Sequence, residues 1–236
     1  MNKVLPSIAV LSTLAAPAVF AGSYFNRPYL GVEIIQTNQD FKTAYGKDIF
    51  KKNPQNYSLF AGFSFAKYFG LEGGYEFQPK RSKDFNLGAG SYVPSANGDV
   101  ILSSNQRVYG TSSYKSTSPY VGLFAEYMFY KKYSIKGLLG ASFTHVNAQY
   151  TLTNVINGVT FDPIFRSYSE TKTIPIAKIM AGTQFTNNFG IRLSLQYQNM
   201  SRFKMTAGQA SESGSKPVVK MKDAFGIGLG LTYQFN

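Results

Sequence analysis

The chain has 236 residues and a formal net charge of +12, from 24 Lys and Arg against 12 Asp and Glu. Charged residues make up only 15% of it, against roughly 25% in an ordinary soluble domain, and 17 Tyr, 20 Phe and 22 Gly are prominent instead. With no cysteine, disulfides, zinc–thiolate sites, dithiol redox motifs and cysteine nucleophiles are excluded together.

Met1-Asn2-Lys3 carries one positive side chain, and the stretch from Val4 to Phe20 is apolar, broken by Ser7, Ser12 and Thr13. It ends in the compact residues of Val19-Phe20-Ala21. Charged start, short apolar middle and small-residue end are the parts of a secretory signal peptide. Residues 1–21 are expected to be that signal, cleaved after Ala21, with 22–236 as one mature domain. Loss of Lys3 leaves a net charge of +11 (12 − 1). No later apolar run approaches the roughly 20 residues of a membrane helix. The mature chain is therefore soluble or crosses a membrane with strands.

Alternation decides between these. Tyr57, Leu59, Ala61, Phe63 and Phe65 fall on one face of a strand, with Asn56, Ser58, Phe60, Gly62 and Ser64 on the other. Leu71, Gly73, Tyr75 and Phe77 alternate with Gly70, Glu72, Gly74, Glu76 and Gln78. Val121, Leu123, Ala125, Tyr127 and Phe129 repeat the pattern, and Phe225, Ile227, Leu229, Leu231, Tyr233 and Phe235 show it most cleanly against Gly226, Gly228, Gly230, Thr232 and Gln234. Period two marks a strand, and about ten residues is the length of a tilted strand crossing a bilayer.

Eight such strands are predicted: 28–38, 56–66, 70–80, 118–129, 133–146, 172–185, 190–202 and 224–235. The connections Lys67-Tyr68-Phe69, Tyr130-Lys131-Lys132 and Thr186-Asn187-Asn188-Phe189 are tight. The stretches 39–55, 81–117, 147–171 and 203–223 are long and polar, and the Ser, Gly and Asn runs of the second suggest mobility. Short turns at one end and long loops at the other is the arrangement of bacterial outer-membrane barrels, the short turns being periplasmic. Phe65, Tyr68, Phe69, Phe129, Tyr130, Tyr133, Phe185, Phe189 and Phe235 gather at the short-turn end, as interfacial aromatic rings do. A soluble barrel would bury its apolar face. Here the opposite face is too small and polar for a dry core. The expected fold is all-β: a single eight-stranded antiparallel transmembrane β-barrel with short periplasmic turns and four long extracellular loops.

The chain resembles the eight-stranded outer-membrane barrels: the OmpA-type transmembrane domain, OmpX and the neisserial opacity proteins. The resemblance covers 22–236 and is most specific in the last strand. There Gly230, Tyr233 and Phe235 match the C-terminal assembly signal of these families. Gly228 stands where that signal usually has a polar residue, and Asn236 follows the aromatic that usually ends it. The resemblance implies outer-membrane localisation in a Gram-negative bacterium, recognition by the outer-membrane assembly machinery, a monomer, and porin-like or adhesin-like roles.

The inward face is expected to carry Glu33, Glu72, Glu76 and Glu126 opposite Lys136, Lys178 and Arg192. An eight-stranded barrel has room only for its own side chains, and buried charges need partners. A salt-bridged plug is expected, with a narrow ion or solute channel as the rival. The basic loop residues Lys47, Lys51, Lys52, Arg81, Lys83, Lys216 and Lys220 have two candidate partners: phosphates of the surrounding lipopolysaccharide, or an acidic ligand on a host surface. Export and the barrel pattern argue against nucleic acid.

The one histidine, His145, lies near the outer end of the fifth strand. Lipid-A 3-O-deacylase barrels place a Ser two residues after such a His, where this chain has Asn147. A nucleophile is then missing, and no phosphate-cradling loop or metal-ligand spacing appears. Neither enzyme activity nor a cofactor is expected.

Overall fold

The computed structural model describes residues 28–43, 49–95, 98–129, 132–206 and 217–235. The expected signal peptide, Lys47 and Lys216 lie outside them. Eight strands form the frame: β1 Tyr29–Asn38, β2 Gln55–Ser64, β3 Phe69–Leu87, β4 Gln106–Phe129, β5 Tyr133–Ile156, β6 Ile164–Gln184, β7 Phe189–Gln198 and β8 Ala224–Gln234. Each pairs antiparallel with the next, and β8 closes on β1 from Tyr29↔Gln234 to Asn38↔Phe225. The two-residue strand Val159–Thr160 folds back on β5 outside the ring. Closure pairs the backbone groups that lipid could not satisfy.

The faces are inverted relative to a soluble protein. Leu139, Ile227 and Ile179 are 73%, 64% and 63% exposed, while Glu33, Ser58, Glu72, Lys178, Arg192 and Ser194 are buried. Large apolar side chains outside and polar ones inside suit a barrel whose outer solvent is lipid.

Strand length divides the ring into two halves. β1, β2 and β7 have 10 residues and β8 has 11, about what a tilted crossing requires. β3 to β6 have 19, 24, 24 and 21. Their surplus stands beyond the apolar band, at the long-loop end, as a four-stranded half-wall. This corrects the expected mobile loop at 81–117 and the expected loop at 147–171: most of both is strand. Period two continues there, with Val108, Tyr114 and Ser116 buried on one side of β4. The outer side is polar and the apolar residues, such as Val146, Ala148, Tyr150 and Leu152 of β5, face inward, so the outward apolar pattern of the lower strands ends. In β3 the register shifts between Gln78 and Arg81. The shift sits at Pro79, which has no N–H for the ladder, and it reverses the facing of everything after it.

The first and fourth loops fill the concave side of the half-wall. Phe41–Thr43, Pro217–Met221 and Lys204–Thr206 form a three-stranded cap sheet with the middle segment central. Phe41, Ile49, Phe50, Met200, Phe203, Val219 and Met221 are buried against Tyr114, Val146, Ala148, Tyr150, Leu152 and Ile174 of the wall. The Phe41 ring lies 5.0 Å from Phe50 and 5.5 Å from Tyr114. Loops expected to be long and polar thus help supply the larger apolar core. Their apolar residues are too sparse to show a period, and their partners are remote in sequence.

Candidate functional site

Two regions concentrate functional side chains: the lumen at bilayer level and the outer face above it.

In the lumen, alternation aims Glu33 from β1, Glu72 from β3, Lys178 from β6 and Arg192 from β7 at one another. Arg192 Nη2 donates to Glu33 Oε2 and Nη1 to Glu72 Oε2, both at 2.9 Å. Tyr29 and Tyr120 donate to Glu72 at 2.6 and 3.0 Å, and Ser194 donates to Glu33. Lys178 Nζ lies 3.9 Å from Glu33 and 4.3 Å from the centre of the Tyr120 ring. The guanidinium carbon of Arg192 lies 3.3 Å from the Phe60 ring centre. Closer to the short turns, Lys136 is 3.8 Å from Glu126 and donates to Tyr29 at 3.0 Å. It also sits about equally close to the Tyr29 and Phe124 rings, at 4.2 and 4.1 Å. Charge, hydroxyl and ring fill one cross-section together, with Phe60, Tyr120, Phe124, Leu138, Ile176 and Met180 as its apolar part.

Glu76 is separate from this cluster. It accepts from Asn56 Nδ2 at 2.9 Å, Gln196 Nε2 at 2.9 Å and Gln198 Nε2 at 3.0 Å. Among the described residues no cation lies within ion-pair distance of it. The sequence grouped all seven charges in one network; the structure brings together Glu33, Glu72, Lys178 and Arg192, pairs Glu126 with Lys136, and surrounds Glu76 with amides. The aromatic lids Phe60 and Tyr120 were missed, although their placement on otherwise small or polar faces was the signal for them.

Gly228 and Gly230 of β8 face the same cluster. A Cβ at 228 would stand 2.6 Å from Glu33 Oε1, and one at 230 would stand 3.3 Å from Arg192 Cγ. The departure at Gly228 from the usual assembly signal leaves the room that the Glu33 carboxylate occupies. Tyr233 packs edge-on against Phe189 and Phe235, at 5.0 Å from each, at the short-turn end.

On the outer face, Lys51 is exposed and Lys52 pairs with Asp40 at 3.3 Å. Arg81 and Lys83, expected in a loop, lie in β3 beyond the register shift. They share the inner, half-buried phase of Phe85 and Leu87 rather than pointing outward. Lys220 lies on the exposed face of the cap sheet. His145 sits on the outer wall, its Nδ1 2.9 Å from Thr171 Oγ1 and its Nε2 3.4 Å from Ser169 Oγ. The β5–β6 register runs unbroken past it. Ser169 is a hydroxyl partner that strand neighbours could not reveal.

A closed ring with lipid-facing apolar residues and an ion-paired interior defines an integral outer-membrane β-barrel. The family model of the outer membrane protein beta-barrel domain matches residues 7–235, and the chain belongs to that family. Comparison with curated proteins gives no match. Among solved structures the chain is similar to Ail of Yersinia pestis, described in complex with the heparin analogue sucrose octasulfate. The identity is 18%, with 89% of this chain and 99% of that one covered, at a TM-score of 0.47. It is also similar to OprG of Pseudomonas aeruginosa, with 13% identity, 90% and 96% covered, and a TM-score of 0.48. A third is neisserial surface protein A, with 11% identity, 88% and 97% covered, and a TM-score of 0.41.

Proposed function

We propose that this is a closed outer-membrane barrel that works through its outer face, a surface-interaction protein of the adhesin type rather than a channel or an enzyme. The observation that carries this reading is closure of the lumen at two successive levels. The Glu33–Arg192–Glu72 bridge with Phe60 fills the bilayer cross-section. Above it, the apolar core of the first and fourth loops fills the mouth. An eight-stranded ring has no bore beyond its side chains, so a pathway would need both layers to move. What stays accessible is the half-wall and the basic cap, and an acidic ligand is the partner that their charge suits.

The reading includes export by the N-terminal signal, insertion through the Gly230–Tyr233–Phe235 signal and a monomeric barrel. His145 has only hydroxyl partners among the described residues, so it lacks the carboxylate that would orient a general base.

Planar-bilayer conductance of the refolded chain tests the proposal. A folded, silent barrel is the expected result. Discrete steps that change when Glu72 or Arg192 is neutralised would establish the channel instead. Lipid A of unchanged mass in expressing cells is expected for wild type and His145→Ala alike.

A further inference from the structure

The cap sheet carries an arrangement of like charges that its fold alone does not require. Lys204 lies directly opposite Lys220, and Lys220 directly opposite Lys42. All three are exposed, and Phe41, Val219 and Met221 of the same strands are buried beneath. Period two therefore fixes the lysines outward. Opposed side chains in antiparallel strands have Cβ atoms about 4.5–5.5 Å apart, and like charges so placed repel. The nearby carboxylates are engaged elsewhere. Asp40 is shared by Lys52 at 3.3 Å and Lys222 at 3.4 Å. Asp223 accepts from Tyr197 Oη at 2.9 Å and from the Ser201 amide at 3.2 Å. Among the described residues, Lys42, Lys204 and Lys220 have no ion-pair partner.

A groove of about 470 Å³ adjoins this row, lined by Lys42, Lys220 and the Asp40–Lys222 pair, by Asp223 and, toward the membrane, by Phe225. Phe225 is 60% exposed, packs 5.1 Å from Tyr197, and is paired with Asn38 at the upper edge of the lipid-facing band. Lys42 is four residues beyond Asn38, about 13 Å along an extended chain. That length is an upper bound on its height, because residues 39–40 are not strand and Phe41 is buried in the cap core. The headgroup layer adds roughly 5–8 Å to each side of the hydrocarbon. The groove thus runs from a lipid-facing ring to a cationic row just outside the hydrocarbon edge.

We infer that the Lys42–Lys220–Lys204 row and its groove seat the phosphate groups of one lipopolysaccharide molecule of the surrounding outer leaflet, whose apolar part continues down over Phe225 and Tyr197. Lysine binds phosphate as a point charge, and three in a row offset the repulsion among them when they share an anion. This rests on the reading of the outer face as the working surface and names the partner of its lower part, leaving the half-wall above free for another.

The test is native mass spectrometry of the refolded full chain in detergent, titrated with bisphosphorylated lipid A and with the same lipid after phosphate removal. Near a membrane surface each lysine contributes enough that losing three lowers affinity roughly a hundredfold. The triple variant Lys42→Ser, Lys204→Ser, Lys220→Ser is expected to lose that much affinity for the phosphorylated lipid while keeping the gel mobility of a folded barrel. Lys115→Ser, on the outer side of the half-wall, is expected to bind like wild type. Equal binding of the two lipids, or undiminished binding by the triple variant, would overturn the inference. So would a sulfated oligosaccharide that binds the row when lipid A does not. Conductance of the same preparations is read separately, so a conducting barrel that still needs the row for lipid A would overturn only the closed-barrel reading.

Discussion

Arg192 lies over Phe60, its guanidinium carbon 3.3 Å from the ring centre, while its two terminal nitrogens reach across the lumen to Glu33 and Glu72 at 2.9 Å each. One side chain thereby bridges carboxylates on two strands and covers a ring on a third. Removing it would leave two buried carboxylates that Lys178, 3.9 Å from Glu33, can only partly compensate. Arg192→Met is expected to lower stability by about 3–5 kcal/mol, the usual effect of breaking a buried pair. The double change Arg192→Met, Glu72→Gln, which leaves Glu33 opposite Lys178, is expected to recover most of that loss. The chain has no tryptophan, so the urea midpoint is best followed by the gel mobility of the folded form. An unshifted midpoint in Arg192→Met would show that the bridge contributes nothing.

Glu76 should behave in the opposite way. It is buried, and only amide groups reach it. Asn56 Oδ1 and Gln196 Oε1 are buried without a donor. In Glu76→Gln the charge disappears and the new amide hydrogens can serve those oxygens. Replacing an uncompensated buried charge by a satisfied polar group costs little. The expected result is a midpoint unchanged or raised by about 1 kcal/mol equivalent. A loss comparable to that of Arg192→Met would mean that Glu76 has a cationic partner.

The contrast between these residues shows what the sequence could reveal. Strand count, inward phase and the set of lumen charges follow from period two, because each shorter strand has one apolar and one polar face. Which charge meets which depends on register and shear between strands distant in the chain, so Glu76 was grouped with cations that it does not touch. The half-wall was hidden because its outer face is polar and its apolar residues face inward, opposite to the lipid-facing pattern below, and the shift at Pro79 reverses the phase of Arg81 and Lys83. The row of lysines was legible only in part. Lys220 was named as a loop contact, but its alignment with Lys42 and Lys204 arises from pairing between the first and fourth loops, which no local pattern encodes.

The cap core should be separable from the barrel. Phe203 is fully buried among Met200, Val219, Met221 and the wall, and Lys172 Nζ sits 5.5 Å from its ring centre. Phe203→Ala is expected to destabilise the cap by about 3–5 kcal/mol, as phenylalanine truncations in cores do. The lipid-embedded ring relies on its own pairing, so the effect should be local. Hydrogen exchange is expected to quicken at the amides of 204–206 and 218–221 while β8 stays protected. Uniform loss of protection along β8 would show that cap and ring unfold together.

Asp40 joins the two loops that make the cap, and its titration should report that junction. The hydrogen bond from Lys52 holds its carboxyl below the ordinary carboxylate value, with Lys222 adding to the effect against a small opposing cost of burial. A carboxylate lowered in the folded state stabilises that state above its unfolded pKa of about 3.9, and the contribution is lost as pH falls through the lower folded value. The junction is therefore complete at neutral pH and weakens only in acid. Both lysines are exposed, so salt screens the pairing. The Asp40 side-chain carbon shift, followed by NMR against pH, is expected to give a midpoint below the ordinary value in wild type. In Lys52→Ala that midpoint should move upward, and in Lys52→Ala with Lys222→Ala it should reach the ordinary value. A midpoint that stays low in the double variant would assign the shift to some group other than the two lysines.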